Sequence, residues 1–91
     1  MKQLLIGILF TMMGFSAQAM SFSNVKIIYM KLVLHNFPGG APMLSLDKSR
    51  DPNADEGEGV IHVTAGMLTF ARNNDEMALV LGHELGHFAH H

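Results

Sequence analysis

The sequence predicts an α+β fold, and three observations carry that prediction. Val60-Ile61-His62-Val63-Thr64 is β-branched apart from His62, the composition of a strand. Met77, Val80, Leu81, Glu84, Leu85 and Phe88 recur at the three- and four-residue spacing of a helix with one buried stripe. Phe37-Pro38-Gly39-Gly40-Ala41-Pro42 holds two prolines and two glycines, which neither a helix nor a central strand accommodates, so the chain is broken there.

The elements follow in order. Met1 and Lys2 precede an apolar stretch from Leu4 to Phe15, and Ala17-Gln18-Ala19 is a small-x-small site. These are the parts of a secretory signal peptide, residues 1–19, cleaved after Ala19. The alternative is an anchor in the inner membrane, but about twelve apolar residues fall short of the roughly twenty that span a bilayer. A lead-in segment, residues 20–50, comes next. From Ser21 to Phe37 the residues Val25, Ile28, Tyr29, Leu32, Val33 and Asn36 trace one face of a helix, yet Val25, Ile27, Ile28 and Val33 would suit a strand equally. His35, alone on this mixed face, is read as a surface or packing residue.

Met43-Leu44-Ser45-Leu46 alternates as a short strand does. Asp47 to Gly59 is polar, charged and glycine-rich, and reads as a solvated loop. Its acids, Asp51, Asp55, Glu56 and Glu58, lack the spacing of a calcium-binding EF-hand loop. After the strand Val60–Thr64, on which His62 points to the solvated side, Ala65 to Arg72 predicts a short helix packing Met67, Leu68 and Phe70. Asn73-Asn74-Asp75-Glu76 then starts the last helix: a capping Asn, acids in the first turn, and capping-box spacing from Asn73 to Glu76.

Composition narrows the function. Ninety-one residues make one small domain. Six Lys and Arg against eight Asp and Glu give no basic surface for nucleic acid. Without residues 1–19 the count is five basic against eight acidic, formally −3. There is no cysteine, which excludes disulfides, thiolate metal sites and a lipid-modified N-terminal cysteine.

The chemistry sits in His83-Glu84-Leu85-Gly86-His87, an H-E-x-x-H motif inside the last helical pattern. Residues four apart lie on one helix face about 6 Å apart, so both imidazoles can converge on one metal ion. Glu84 lies about 100° around the helix from His83, placed to reach a water at that ion without ligating it. A helix-surface pair of histidines beside a solvated acid is the metal-free reading of the same residues.

Five stretches together resemble the HtpX-like zinc endopeptidases, a gluzincin family related to the CAAX prenyl proteases. They are Asp51-Pro52-Asn53-Ala54, Gly59-Val60-Ile61-His62-Val63-Thr64, Ala65-Gly66-Met67-Leu68, Asn74-Asp75-Glu76-Met77-Ala78, and Val80-Leu81-Gly82 leading into the motif. The resemblance covers residues 51–91 and implies the N-terminal part of a zincin-like metalloprotease domain, with one zinc held by His83 and His87. It implies that Glu84 takes a proton from the attacking water and passes it to the leaving amine. It also implies that Val60–Thr64 is the edge strand on which an extended substrate lies, the substrates being unfolded or misassembled proteins or peptides. A periplasmic or secreted location, with membrane association as an open alternative, accompanies the leader.

The sequence departs from the family twice. Asp55-Glu56-Gly57-Glu58-Gly59 stands where the family has an apolar residue and Pro-Gly-Gly, which leaves the local turn open. The family's third zinc ligand is a glutamate on a later helix, and no glutamate follows Glu84, whereas a catalytic zinc takes three protein ligands. His90 lies seven residues, about 10 Å, beyond His83. Glu56 or Glu58 folding back from the loop is the in-chain alternative. The expectation is an N-terminal fragment of a longer protease cut within or just after this helix. The rivals are an inactive truncated chain and a small secreted binding protein with a partial metal site.

Overall fold

A computed structural model describes residues 19–90. The expected leader falls, apart from Ala19, outside those residues, as does His91. Three helices and one small sheet are described: α1 (Phe22–Asn36), β1 (Met43–Asp47), β2 (Ala54–Gly57), β3 (Val60–Thr64), α2 (Ala65–Phe70) and α3 (Asn74–Ala89). This is the α+β class that the sequence predicts, and it is compatible with part of a zincin-like domain.

The ambiguous segment before the proline break is a helix. Ser21 caps α1, its hydroxyl accepting from the Asn24 N–H at 3.1 Å. The helix ends where the Phe37 N–H donates to the Val33 carbonyl at 2.7 Å, one residue before Pro38, whose ring disfavours helical geometry in the residue preceding it. Val25 and Tyr29 are buried, and the Tyr29 hydroxyl donates to the Pro42 carbonyl. Burial raises the Tyr29 pKa above its ordinary value.

The sheet has the order β1-β3-β2, with β1 parallel and β2 antiparallel to β3. Two sequence expectations are corrected here. First, the loop expected from Asp47 to Gly59 contains β2, with Ala54 opposite Val63 and Gly57 opposite Val60. Glu58 and Gly59 join β2 to β3 as a two-residue hairpin in which both residues have positive φ, 55° and 78°, as a type I′ turn requires. Pairing with β3 satisfies backbone groups that local composition alone would leave to water. Second, Val60–Thr64 is the central strand and not an edge. Both of its sides are hydrogen-bonded, and the sheet edges among the described residues belong to β1 and β2.

Ile61 and Val63 turn to the inside while His62 is exposed, as strand alternation demands. The core combines Val25 and Tyr29 of α1, Ile61 and Val63 of β3, Met67 and Leu68 of α2, Ala71, and Met77, Leu81 and Leu85 of α3. Helices α1 and α3 lie side by side in the same direction. Asn24 Nδ2 donates to Asn74 Oδ1 at 2.8 Å near their N-termini, and the Phe37 and Phe88 rings meet at 6.1 Å near their C-termini.

Thr64 joins sheet, loop and helix. Its hydroxyl accepts from the Met67 N–H at 3.1 Å, capping α2, and from the Asn53 N–H at 2.9 Å. It donates to the Asp51 carbonyl at 2.6 Å, with the Asn53 carbonyl at 3.0 Å. The segment Asp51–Asn53 is thereby held at the start of β2. Gly66, two residues on, donates its N–H to the Ser49 carbonyl at 3.0 Å, and a Cβ there would stand 2.0 Å from the Arg50 carbonyl oxygen.

Candidate metal centre

Helix α3 begins as its sequence predicts, with one refinement. Asn73 caps it by accepting from the Glu76 N–H at 2.9 Å. The Glu76 carboxylate does not return to Asn73, as a capping box would have it. It accepts instead from the Arg72 N–H at 2.9 Å and pairs with the Arg72 guanidinium through Nε at 2.9 Å and a second, shorter contact. The bonds to Arg72 hold the Glu76 carboxyl below its ordinary pKa. Asp75 and Glu76 in the first turn also oppose the partial positive charge of the helix N-terminus.

The buried side chains of α3 are Met77, Leu81, Glu84 and Leu85, a stripe at intervals of four, three and one that lies on the core. Glu84 is therefore carried on the edge of the packed face, 8% exposed. His83 and His87, one turn apart and rotated off this stripe, are exposed. Val80 and Phe88 are only partly buried, and Leu79 is 75% exposed.

The structure brings together the three residues that the motif singles out. One donor atom from each of His83, Glu84 and His87 can be chosen so that all lie within 4.8 Å of one another. The two imidazoles meet edge to face, with their Nε2 atoms 3.2 Å apart. Two nitrogens at about 2.0–2.1 Å from a tetrahedral zinc would be separated by about 3.3–3.4 Å, so the imidazoles already stand at the spacing of a shared ion. Imidazole nitrogens are donors that zinc accepts, and the Glu84 carboxylate stands beside the two that would hold it.

Neither Glu56 nor Glu58 joins this group, nor does His90, which caps the C-terminus of α3. His35 stays apart too, its Nδ1 3.0 Å from the Lys31 carbonyl within its own helix. Two depressions flank the group. One, of about 660 Å³, runs between α3 and the start of β2 and is lined by Asn53, Ala54, Met67, Leu79, His83 and Glu84, among others. The other, about 310 Å³, lies along Gly82, His83, Gly86, His87 and His90. Gly82 and Gly86 add no bulk beside the imidazoles, and a Cβ at either would meet open space.

Sequence reasoning did not single out the β2 side of the larger groove. Its signal was the glycine-containing pair Glu58-Gly59 directly before a β-branched run, a hairpin mark.

No curated protein and no solved structure matches the chain. Residues 34–91, more than half of the sequence and including β1 through α3, match the family model of peptidase family M48. With the His-Glu-His group on α3, this match establishes that the chain belongs to peptidase family M48, a family of metallopeptidases.

Proposed function

We propose that the chain carries the zinc-binding helix of an HtpX-like metalloendopeptidase, with His83 and His87 as zinc ligands and Glu84 as the general base. The observation that carries this reading is the 3.2 Å separation of the two Nε2 atoms beside the Glu84 carboxylate. When bound, zinc acidifies a water and polarises the scissile carbonyl.

The protein's own residues do the rest. His83 and His87 present neutral Nε2 lone pairs to the metal. Glu84 accepts the proton of the attacking water at a carboxylate oxygen and returns it to the leaving amine nitrogen. Packing against the core limits where that carboxylate can move, so it faces the groove wall formed by Asn53 and Ala54. An extended peptide pairs with the outer edge of β2, the strand packed against α3, and not with the fully paired β3. A glutamate outside residues 1–91 supplies the third ligand, as the resemblance implies.

The leader-like residues 1–19 support an exported, periplasmic or secreted setting, in which unfolded or misassembled proteins are the substrates. That the metal group among the described residues holds two histidines and no third ligand besides Glu84 favours a second reading, a metal-binding chain that does not turn over. Hydrolysis of casein by the product of the natural reading frame, with and without a chelator, separates the two. Glu84→Gln in that product is expected to keep its zinc and to lose about 10²–10⁴-fold in turnover. Undiminished turnover in this variant removes Glu84 from the mechanism, and zinc without any chelator-sensitive hydrolysis in the wild type supports the second reading.

A further inference from the structure

Helix α1 has a second apolar face that the core does not use. Ile27, Met30 and Leu34 are 52%, 59% and 71% exposed, although Val25 and Tyr29 on the opposite side are buried. At about 100° per residue these three fall within an arc of about 60°, and Lys26 and Lys31 lie about 40° beyond its two edges. No acid occurs anywhere in α1. An apolar strip flanked by one lysine on each side, on a helix that carries no acid of its own, although Asp75 of α3 lines the same depression as Lys31, fits a helix lying in the plane of a lipid surface, its lysine stems along the acyl boundary and its ammonium groups among the headgroups.

We propose that this face of α1 docks on an anionic lipid surface and seats the domain on a membrane. Charge complementarity selects the partner, since two lysines and no acid match anionic headgroups. The helix lies on the membrane and does not cross it: fifteen residues reach about 22 Å, short of the hydrocarbon thickness, and no helix among the described residues is long and apolar enough to span. The inference stands apart from the metal centre, and its test reads lipid contact, not hydrolysis.

The chain has no cysteine, so Met30→Cys, Leu34→Cys and His62→Cys each create a single labelling site. The test uses the full chain, carrying an environment-sensitive fluorophore, with vesicles of phosphatidylcholine alone or mixed with phosphatidylglycerol and containing a lipid-phase quencher. Quenching is expected at positions 30 and 34 with the anionic vesicles, little at position 62, and weaker partitioning to the neutral vesicles. Lys26→Gln and Lys31→Gln are each expected to weaken partitioning about five-fold. Ile27→Gln with Leu34→Gln is expected to abolish quenching at position 30, and Ile27→Gln with Met30→Gln to abolish it at position 34, while circular dichroism stays unchanged. Three results overturn the proposal: vesicle binding without quenching at 30 and 34, which assigns the contact to residues 1–18; equal binding to both vesicles; or a lipid-independent, concentration-dependent spectral shift at position 30, which assigns the face to a second copy of the chain.

Discussion

Replacing Thr64 with valine keeps the shape of the side chain and removes its hydroxyl, and the consequences can be worked bond by bond. The Asn53 and Met67 N–H groups lose their acceptor and the Asp51 carbonyl loses its donor. The position is 6% exposed, so water restores few of these bonds. At about 0.5–1.5 kcal/mol for each, the loss is about 2–4 kcal/mol, of which the missing helix cap accounts for about 1. A folded unit of this size is stable by roughly 4–11 kcal/mol. Thr64→Val should therefore remove a large share of the stability and loosen the groove wall at Asn53 and Ala54. Thr64→Ser keeps the hydroxyl and should cost only about 1 kcal/mol for its missing methyl. Urea denaturation followed by circular dichroism measures both. If Thr64→Val stays within about 0.5 kcal/mol of wild type, or Thr64→Ser matches it, the hydroxyl is not the joint described here.

Two further substitutions probe the approaches to the metal helix. Gly66→Ala would ordinarily help a helix by up to about 1 kcal/mol, but a Cβ 2.0 Å from the Arg50 carbonyl oxygen forces backbone movement, so a net destabilisation of about 1–3 kcal/mol is expected. A thermal midpoint equal to or above wild type would contradict the close approach. Because Glu76 has a lowered folded-state pKa, caused first by its side-chain bonds to Arg72, its stabilising effect is full above the ordinary carboxyl value of 4.5. That effect fades as pH falls through the lower folded value. Glu76→Gln should thus narrow the stability gap to wild type as pH is lowered below 4.5, and a gap that is flat with pH speaks against the pair.

How much of this was legible in the sequence depended on whether local chemistry and tertiary context agreed. They agree in α3, where Asn73, Asp75 and Glu76 mark the start and the apolar recurrence continues through Leu85, so helix, cap and the His83–Glu84–His87 grouping were all readable. They agree again in β3 and at the Met43–Leu46 strand. They disagree in β2. Ala54-Asp55-Glu56-Gly57 has poor strand propensity, and only the partner across the hairpin makes it a strand. The edge position expected for Val60–Thr64 came from the family resemblance and not from the residues, and β1 and β2 on its two sides overturn it. The α1 helix was undecided because β-branched residues fit either state, and its choice was settled by the Ser21 cap and by packing of Val25 and Tyr29.

The central claim is that His83 and His87 together hold a zinc ion while Glu84 does not. Calorimetric titration of the product of the natural reading frame with zinc, beside its His83→Ala, His87→Ala and Glu84→Gln variants, tests it most directly. The account predicts one zinc per chain, lost in either histidine variant and retained in Glu84→Gln. Zinc binding that survives removal of either histidine, or that disappears with Glu84→Gln, would contradict it.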